Sequence, residues 1–260
     1  MRNFDESSGS LSSVANALRV LDLLGDGVEL RVTDVAGSLG VANATAHRVL
    51  TSLKEHGYLR QPPGSTRYVA GPAVLRLARR ISFERTLRTI AVPHLQGLCR
   101  AVKETINLQI LIGADVLFIA SAEDQHRLRV AQRGGTRGPA HANAGGKVLL
   151  SSLDDDEVRR LVGGRLESLT PKTVTDIDQL FAELREVRRR GHGMNTGETD
   201  EGVRAIAVPV NDAKGDTIAA LSLAAPEMRL PDVRIPLVLP LLRDTAQAIS
   251  AECAASGASA

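Results

Sequence analysis

The chain has 260 residues, of which 43% are hydrophobic, so it is long enough to form two ordinary domains with buried cores. Its formal net charge of +2 is too small to indicate a nucleic-acid partner by itself. Two cysteines, Cys99 and Cys253, exclude a disulfide framework or a multi-cysteine metal site. The polar start lacks a signal peptide's apolar segment, and no apolar run approaches the roughly 18 residues of a membrane helix. We therefore expect a cytoplasmic protein without a membrane partner.

Basic residues are concentrated locally in the first third of the chain. Residues 43–67 contain four of them and only one acid, Glu55, whereas the acids gather earlier in the chain. The four are Arg48, Lys54, Arg60 and Arg67. A second basic run, RLARRISFER, follows at 76–85. Because solvated helix faces explain most such clusters in unrelated proteins, charge supports nucleic-acid binding without establishing it.

The first two predicted elements are short amphipathic helices. Residues 13–24, SVANALRVLDLL, carry apolar side chains at helical spacing and end at the Gly25-Asp26-Gly27 turn. The predicted inward face consists of Val14, Ala17, Leu18, Leu21 and Leu24. The segment VTDVAGSLG offers Thr33 as an N-cap and ends at Gly40. Its predicted buried residues are Val35, Ala36 and Leu39.

Residues 41–59, VANATAHRVLTSLKEHGYL, predict a third helix with two different faces. One face is an apolar stripe made of Ala46, Val49, Leu50 and Leu53, and the other carries small and hydrogen-bonding side chains. Two helices joined by a tight glycine-containing turn form the helix-turn-helix pattern. Two short strands follow around 58–60 and 67–69, joined by the turn PPGS, and a hairpin after a helix-turn-helix is a wing.

The third helix and the wing supply the candidate DNA-binding residues. In a helix-turn-helix the second helix enters the major groove N-terminus first, so its leading residues meet base edges. Arg48 can pair with guanine O6 and N7, and Asn43 can either pair with adenine or cap the helix. Arg60 and Arg67 lie over phosphates or the minor groove, or are simply solvated. The full set is Thr33, Asn43, Ala44, Thr45, His47, Arg48, Thr51, Arg60 and Arg67.

The rest of the chain predicts a linker helix and a second domain. PAVLRLARRIS is a short amphipathic linker, and a helix over 86–103 contains Pro93, where we expect a kink or a restart. The predicted strands are TINLQIL, DVLFIASAE, RLRVAQR, GHGMNTGE, VRAIAVPVN and TIAALSLAA. Three predicted helices, AGGKVLLSSL, DDEVRRLV and IDQLFAELREVRRRG, lie between the third and fourth strands, and a last helix at about 232–252 follows the final strand. This order favours an α+β fold with a largely antiparallel sheet. The predicted domains are 11–72, a linker at 73–85, and 86–256.

Several blocks in the chain resemble the IclR family of bacterial transcriptional regulators. They are ANALRVLDLL, TAHRVLTSLKEHGYL, AVPHLQGLCRAVKETINL, PAHANAGGKVLL, GHGMNTGETDEGVRAIAVPV and DTIAALSLAAPEMRL, in family order, with Tyr68 in the wing. The resemblance implies a winged helix-turn-helix, a linker helix and a GAF-like C-terminal domain that binds a small-molecule effector. Relatives commonly have Leu-Pro-Lys-Ser where this chain has Val41-Ala42-Asn43-Ala44, which puts its operator sequence preference in doubt.

The same resemblance implies an effector site. GGK at 145–147 is not a Walker loop, because His141 occupies the position of a required glycine. The segment NAGGK instead begins a helix beside the cavity, where small residues let a ligand approach backbone N–H groups, although close packing is an equal alternative for Gly146. The implied effector-binding residues are Arg127, Arg129, Val130, Ala144, Gly145, Gly146, Asn195, Ala205, Ser222 and Ala224.

The effector-site residues also indicate a ligand class. Asn195 stands where relatives frequently have Asp, Ala205 where they have Cys, and Ala224 where a Ser can occur, so the pocket is less polar than in relatives that bind very small acids. We expect an aromatic or branched organic acid, with Arg127 or Arg129 pairing its carboxylate unless these side chains simply face outward.

These observations favour a ligand-responsive DNA-binding transcriptional regulator. We expect a repressor that binds palindromic operator DNA as a dimer or a dimer of dimers, with contacts from the N-terminal and linker helices. His126, His141, His192 and Cys99 lie in no catalytic motif, and we expect no cofactor, no metal and no enzyme activity. The alternatives are an enzyme with an attached helical domain and a winged helix that binds protein rather than DNA.

Overall fold

The computed structural model describes residues 9–25, 29–163 and 166–256, and the chain divides between Ser82 and Phe83 into two compact units. The predicted turn at Gly25-Asp26-Gly27 lies partly outside the described residues. Within them, no helix has the length and apolar character needed to cross a membrane. The α+β class is confirmed by the elements below, whereas the domain limits 11–72, 73–85 and 86–256 stay predictions.

The N-terminal unit is a three-helix fold with a small hairpin. Its elements are α1 (Gly9–Gly25), α2 (Val32–Leu39), α3 (Asn43–Glu55), β1 (Leu59–Arg60) and β2 (Val69–Ala70). The two strands pair antiparallel, as the wing prediction requires, and Leu30 adds an isolated bridge to Tyr68 that the sequence pattern did not reveal. Gly40 ends α2 with a positive φ of 67°, which glycine adopts without strain.

The inward face predicted for α1 was partly wrong. Among residues 13–25 of this helix, Val20 is fully buried, and Leu23 and Leu24 pack partly against the core. Val14 and Leu18 are instead 59% and 57% exposed. The α1 side chains that pack against the core of this unit therefore lie toward the C-terminal end of the helix.

The linker and the following helix are one element, so the restart expected as one alternative at Pro93 was wrong, while the kink stays a prediction. α4 runs without interruption from Pro72 to Val102 and contains Pro93. A proline inside a helix removes one backbone hydrogen bond. Four buried side chains at helical spacing on both sides of Pro93 pack into the core and hold the helix through this position: Leu87, Ala91, Leu95 and Leu98.

The C-terminal unit is built on a six-stranded sheet with the order β5-β4-β3-β8-β7-β6. Its strands are β3 (Thr105–Ile112), β4 (Asp115–Ala122), β5 (Arg137–Pro139), β6 (Gly193–Thr196), β7 (Val203–Asn211) and β8 (Thr217–Pro226). Every neighbouring pair is antiparallel. The helices are α5 (Ala144–Ser151), α6 (Asp155–Val162), α7 (Ile177–Arg190) and α8 (Ile235–Ser256), with single 3-10 turns at Ala140–Ala142, Glu227–Arg229 and Asp232–Arg234.

The two faces of this sheet have different partners. On one face, apolar side chains such as Ile106, Leu221 and Leu223 form a core with residues of α4 and α8. On the other face, α5 and α7 pack against a second core that includes Phe118 and Ala220. Side chains alternate between faces along each strand, so positions two apart share a face.

The predicted strand at 127–133 was wrong. These residues have no regular structure, and the strand at the sheet edge is β5, which the sequence pattern did not reveal. The carbonyl groups of the segment bond to side chains instead: Arg229 donates to the Leu128 carbonyl at 2.6 Å, and the Thr105 hydroxyl donates to the Val130 carbonyl at 2.5 Å. Leu128 is exposed, so the alternation of LRVAQR does not reflect a half-buried strand.

Candidate DNA-binding and effector sites

The two predicted faces of α3 are separate in the structure. Ala46 and Leu50 are fully buried and Val49 and Leu53 pack partly against the same core, which confirms the predicted stripe. The candidate DNA-binding side chains of this helix point away from that core. Asn43, Ala44, Thr45, His47 and Arg48 are exposed, and Thr51 is half-buried.

The predicted helix caps were wrong. The α3 N-cap is Ala42, with extended backbone and no side-chain hydrogen bond, and Asn43 is the first residue inside the helix. Asn43 therefore does not cap α3. Likewise Arg31 precedes α2, and the Thr33 hydroxyl donates to the Asp34 carboxylate at 3.3 Å. Both Asn43 and Thr33 remain exposed at the surface.

The two wing arginines have different surroundings. Arg60 is exposed on β1, whereas Arg67 forms an ion pair with Glu29 at 3.2 Å. Both members of this pair are solvent-exposed, so the pair contributes little to stability and a phosphate group can replace Glu29. Lys54 at the end of α3 donates to the Gln61 side chain at 2.7 Å, which joins the helix to the wing turn.

Four of the predicted effector residues lie on one face of the sheet. Asn195 pairs with Ala205, and Ala205 pairs with Ala224 on the next strand. Ser222 shares this face because it lies two residues from Ala224 on β8. The strand register thus brings together positions from three strands that are well separated in sequence.

The same face also carries polar residues that the sequence analysis missed. Thr105 and Asn107 are the β3 partners of Ala224 and Ser222, and Gln109 is two residues further along. All three are buried. The signal was present in TINLQIL, where polar side chains alternate with apolar ones and therefore lie on one side of a strand.

Hydrogen bonds link these buried polar groups. The Gln109 amide donates to the Ser222 hydroxyl at 2.9 Å, and the Ser121 hydroxyl donates to the Asn107 side chain at 2.7 Å. The Gln109 Oε1 atom is buried and has no hydrogen-bond partner. This oxygen lies against Gly145 of α5, where an added Cβ would be 2.1 Å from it.

The start of α5 is packed more tightly than a ligand-binding N-terminus requires. Asn143 caps the helix, and its Oδ1 accepts the backbone N–H groups of Gly145 and Gly146 at 3.0 and 3.4 Å. A Cβ on Gly146 would lie 2.1 Å from the Ala140 carbonyl oxygen, and one on Gly145 would lie 2.1 Å from Gln109 Oε1. Close packing explains Gly146. That a ligand approaches these N–H groups stays a prediction. Ala144 is buried beside them.

The loop after β4 contains the arginines predicted to bind a carboxylate. Arg127 and Arg129 are both exposed, and Arg129 pairs with Glu123 and donates to the His126 carbonyl at 3.1 Å. Val130 is half-buried, with its carbonyl bound to Thr105. Because no strand forms here, alternation no longer distinguishes Arg127 from Arg129 as the residue that faces the site.

Asn195 holds the loop that joins β6 to β7. Its Nδ2 donates to the Ala142 carbonyl at 2.9 Å and to the Thr199 hydroxyl at 2.7 Å, and its Oδ1 accepts the Glu198 N–H at 2.8 Å. Glu198 in turn contacts the buried Lys147 of α5. Burial raises the pKa of the Glu198 carboxyl, an effect that the nearby Lys147 ammonium opposes. Asn195 therefore connects the effector face to a buried ion pair.

Among residues 9–25, 29–163 and 166–256, no group of three or more His, Cys, Asp or Glu side chains is arranged to hold a metal ion. Burial lowers the pKa of His141, whose Nε2 lies 3.0 Å from the Glu167 carbonyl oxygen. A winged helix with an exposed polar recognition face, together with an α+β unit that buries polar groups on one sheet face, defines a ligand-responsive transcriptional regulator.

Comparison with known proteins gives the same class. The family descriptions "IclR helix-turn-helix domain" and "Bacterial transcriptional regulator IclR C-terminal" match residues 13–63 and 82–251. The chain is 32% identical to the HTH-type transcriptional regulator KdgR of Escherichia coli K12, covering 96% of this chain and 95% of that protein. It is 36% identical to the p-hydroxybenzoate hydroxylase transcriptional activator of Acinetobacter baylyi, covering 91% and 89%.

A solved structure extends the comparison to the fold and to a ligand. An IclR homologue from Microbacterium hydrocarbonoxydans, in complex with 4-hydroxybenzoate, matches with a TM-score of 0.62 and 26% identity over 94% of this chain and 99% of that one. The chain belongs to the IclR family of bacterial transcriptional regulators. It is a DNA-binding, effector-responsive regulator and not an enzyme, as its relatives are named regulators of transcription.

Proposed function

We propose that the protein binds palindromic operator DNA as a dimer or a dimer of dimers and represses transcription until an aromatic acid binds its C-terminal unit. The observation that carries this proposal is the pairing of two features in one chain. One is the exposed polar face of α3, and the other is the sheet face on which the polar side chains of Thr105, Asn107 and Gln109 are buried. Since its partner is bacterial DNA, the protein acts in the cytoplasm.

DNA recognition combines base contacts from α3 with backbone contacts from the wing. Arg48 reads guanine through its two-pronged guanidinium, while Arg60 and Arg67 bind phosphates or the minor groove. Asn43 is exposed rather than used as a cap, which favours its pairing with adenine. The remaining contacts come from the first turns of α3 and from α2: Thr33, Ala44, Thr45, His47 and Thr51.

Dimerisation would use apolar side chains that the N-terminal unit leaves exposed. Val14 and Leu18 on α1 are exposed, and so are three apolar residues in the first part of α4, namely Leu75, Leu77 and Ile81. Large apolar side chains that stay exposed on a surface are typical of protein interfaces. A dimer also supplies the second recognition helix that a palindromic operator requires.

The effector site would use the predicted residues of the sheet face and its surroundings. Asn195, Ala205, Ser222 and Ala224 form the floor, with Ala144, Gly145 and Gly146 behind them and Val130, Arg127 and Arg129 in the loop. The 4-hydroxybenzoate bound by the homologue, and the p-hydroxybenzoate in the name of the Acinetobacter relative, support an aromatic acid as effector.

The experiment is to isolate the DNA bound by the protein in its host and sequence it, and then to measure binding to the recovered sites in mobility-shift titrations. We expect palindromic sites, an affinity that falls steeply with salt, and release on addition of 4-hydroxybenzoate. If deletion of the gene for this protein raises expression of a reporter placed behind the recovered sites, the protein is a repressor. If the deletion lowers expression of the reporter, the protein is an activator. Absence of salt-dependent DNA binding would contradict the proposal and favour a protein-binding winged helix.

A further inference from the structure

The first two turns of α8 are apolar on every side. Residues 235–242, IPLVLPLL, contain no charged or hydrogen-bonding side chain. One side of these turns packs into the core of the C-terminal unit through Val238 and Leu242. A helix that is apolar all round is normally covered on all sides. The opposite side is nevertheless exposed, and it consists of Pro236, Leu237, Pro240 and Leu241.

The residues just before α8 extend this exposed surface. Val233 lies four residues before Leu237, so Val233, Leu237 and Leu241 follow one another along a single stripe. Val233 and Leu237 are 80% and 71% exposed, and Met228 in the preceding 3-10 turn is 79% exposed. These are the largest exposed fractions of any large apolar side chain in the described part of the chain. We call Met228, Val233, Pro236, Leu237, Pro240 and Leu241 the outer α8 face.

Long side chains near this stripe are held elsewhere and do not cover it. Arg234 donates to the Glu104 carboxylate at 2.8 Å and to the Val102 carbonyl at 2.6 Å. Arg229 binds the same carboxylate through a second ion pair at 2.6 Å. Arginine stems can shield apolar surface from water when they are free to lie over it. Because both arginines are fixed on Glu104, the outer α8 face remains open to another protein surface.

Charged residues of opposite sign flank the two ends of the stripe. Asp232 precedes it, and its side chain is 85% exposed although Oδ1 pairs with Arg204. Arg243 follows the stripe and is also exposed. In an antiparallel pair of identical helices, positions equally far before and after a two-fold axis face each other. With the axis at Leu237, Val233 meets Leu241 of the second copy, and Arg243 lies within one residue of the position opposite Asp232.

We propose that the outer α8 face binds the same face of a second copy of this chain, with the two helices antiparallel and Leu237 at the two-fold axis. The inference rests on the proposed function, because it assigns the second interface of a dimer of dimers, whereas the exposed apolar residues of α1 and α4 supply the first. One pair of helices buries less than the roughly 1,600 Å² of a standard interface, so this contact is weak alone. It is strengthened when copies are already joined through their N-terminal units.

Cysteine cross-linking of the full-length protein tests the geometry. A residue on a two-fold axis lies beside its own copy, so Leu237→Cys is expected to form a disulfide-linked dimer with a mild oxidant. The natural Cys99 and Cys253 are buried. Ala251→Cys is the matched control, because Ala251 is exposed on the same helix but lies about 21 Å further along it. No cross-link in Leu237→Cys, or an equally efficient one in Ala251→Cys, overturns the proposal.

Sedimentation of charged variants separates this interface from the one in the N-terminal unit. Leu237→Glu places two like charges at the axis and is expected to weaken association at this face at least tenfold, while the exposed position leaves the fold unchanged. We expect the wild type to form tetramers, Leu237→Glu and Leu18→Glu each to form dimers, and the double variant to be a monomer.

The failure of each interface gives a different result. If Leu237→Glu assembles like the wild type while Leu18→Glu is a monomer, the outer α8 face does not join copies, and the proposed dimer through the N-terminal unit stands. If Leu237→Glu impairs control of a reporter without changing the oligomeric state, this face binds a different protein, which also overturns the proposal. Loss of DNA binding in Leu18→Glu alone concerns the proposed function and not the outer α8 face.

Discussion

The ammonium nitrogen of Lys147 lies 2.5 Å from the carboxylate of Glu198, deep in the C-terminal unit, with the Glu183 carboxylate also 2.5 Å away. Lys147 is the lysine of the GGK segment, so a residue that suggests a phosphate loop in the sequence instead joins α5 to the loop after β6. A buried charge needs such a partner, because an uncompensated one costs several kcal/mol.

Lys147→Met should therefore destabilise the protein by about 3 kcal/mol near neutral pH, because Glu198 loses its main counter-charge. Burial already raises the pKa of Glu198 above its usual value, so the folded state takes up a proton more readily than the unfolded state. The contribution of Glu198 to the free energy of unfolding is therefore lost as the pH rises through the pKa that its carboxyl has in the folded state, and it returns as the pH falls. The decrease in the free energy of unfolding caused by Lys147→Met should thus become smaller as the pH falls toward the pKa that Glu198 has in the unfolded chain.

Urea unfolding of wild type and Lys147→Met at neutral and mildly acidic pH measures this dependence. Adding Glu198→Gln to Lys147→Met serves as the control, since the double variant has no titrating group at position 198. A loss in Lys147→Met that stays the same at all pH values would show that packing, and not the charge of Glu198, sets the cost.

Gly146→Ala should prevent normal packing of α5. Its Cβ would lie 2.1 Å from the Ala140 carbonyl oxygen, a backbone atom that cannot move aside cheaply. We expect a loss of about 2 kcal/mol or more in the free energy of unfolding. Gly37→Ala in α2 is the matched control, because no atom lies within 4 Å of the added Cβ, and it should stabilise by up to about 1 kcal/mol. Equal effects of the two substitutions would contradict this explanation.

Arg229 is expected to stabilise the loop after β4 as well as the end of α4. It binds the buried Glu104 carboxylate through two nitrogens, at 2.9 and 2.6 Å, and donates to the Leu128 carbonyl at 2.6 Å. Arg229→Ala should cost about 3 kcal/mol, since Glu104 keeps only Arg234 as a partner. Arg189→Ala breaks an exposed pair with Glu186 at 2.7 Å and should leave the unfolding curve unchanged. Thermal and urea unfolding distinguish the two.

Substitution of Arg48 and substitution of Arg67 should change DNA binding in different ways. Arg48→Ala should relax base preference at one position at a cost of about 1 to 3 kcal/mol, whereas Arg67→Ala should weaken all sequences alike and reduce the salt dependence. Glu29→Gln should strengthen binding, because it frees Arg67 from its ion pair. Mobility-shift titrations on matched and mutated operators at several salt concentrations provide the measurement. If Arg48→Ala binds the operator with unchanged affinity, Arg48 does not contact the bases.

The exposed apolar residues of α1 should matter for assembly more than for folding. Leu18→Glu introduces a charge at an exposed position, so the free energy of unfolding of the isolated chain should change little while self-association weakens. Sedimentation at several concentrations gives the oligomeric state, and Val20→Ala, at a buried position on the same helix, should instead reduce stability. A Leu18→Glu protein that assembles like wild type would place the dimer contacts elsewhere.

The sequence by itself determined the elements with strong local patterns. The apolar stripe of α3, the wing and the central strands follow from periodicity and turn residues, because these signals lie within a few positions of one another. The predictions of a helix restart at Pro93 and of a strand in LRVAQR were wrong because local patterns do not determine these two features. Whether a proline breaks a helix, or an alternating segment becomes a strand, depends on packing partners elsewhere in the chain.

Only the tertiary structure decided the composition of the effector face. Strand register placed Asn195, Ala205, Ser222 and Gln109 on one face of the sheet. The contacts of Arg133 with Phe118 and Asp200, which join separate parts of the chain, are also visible only in the structure. Contacts of this kind depend on the pairing of distant strands and the path of long loops, which local residue patterns do not specify.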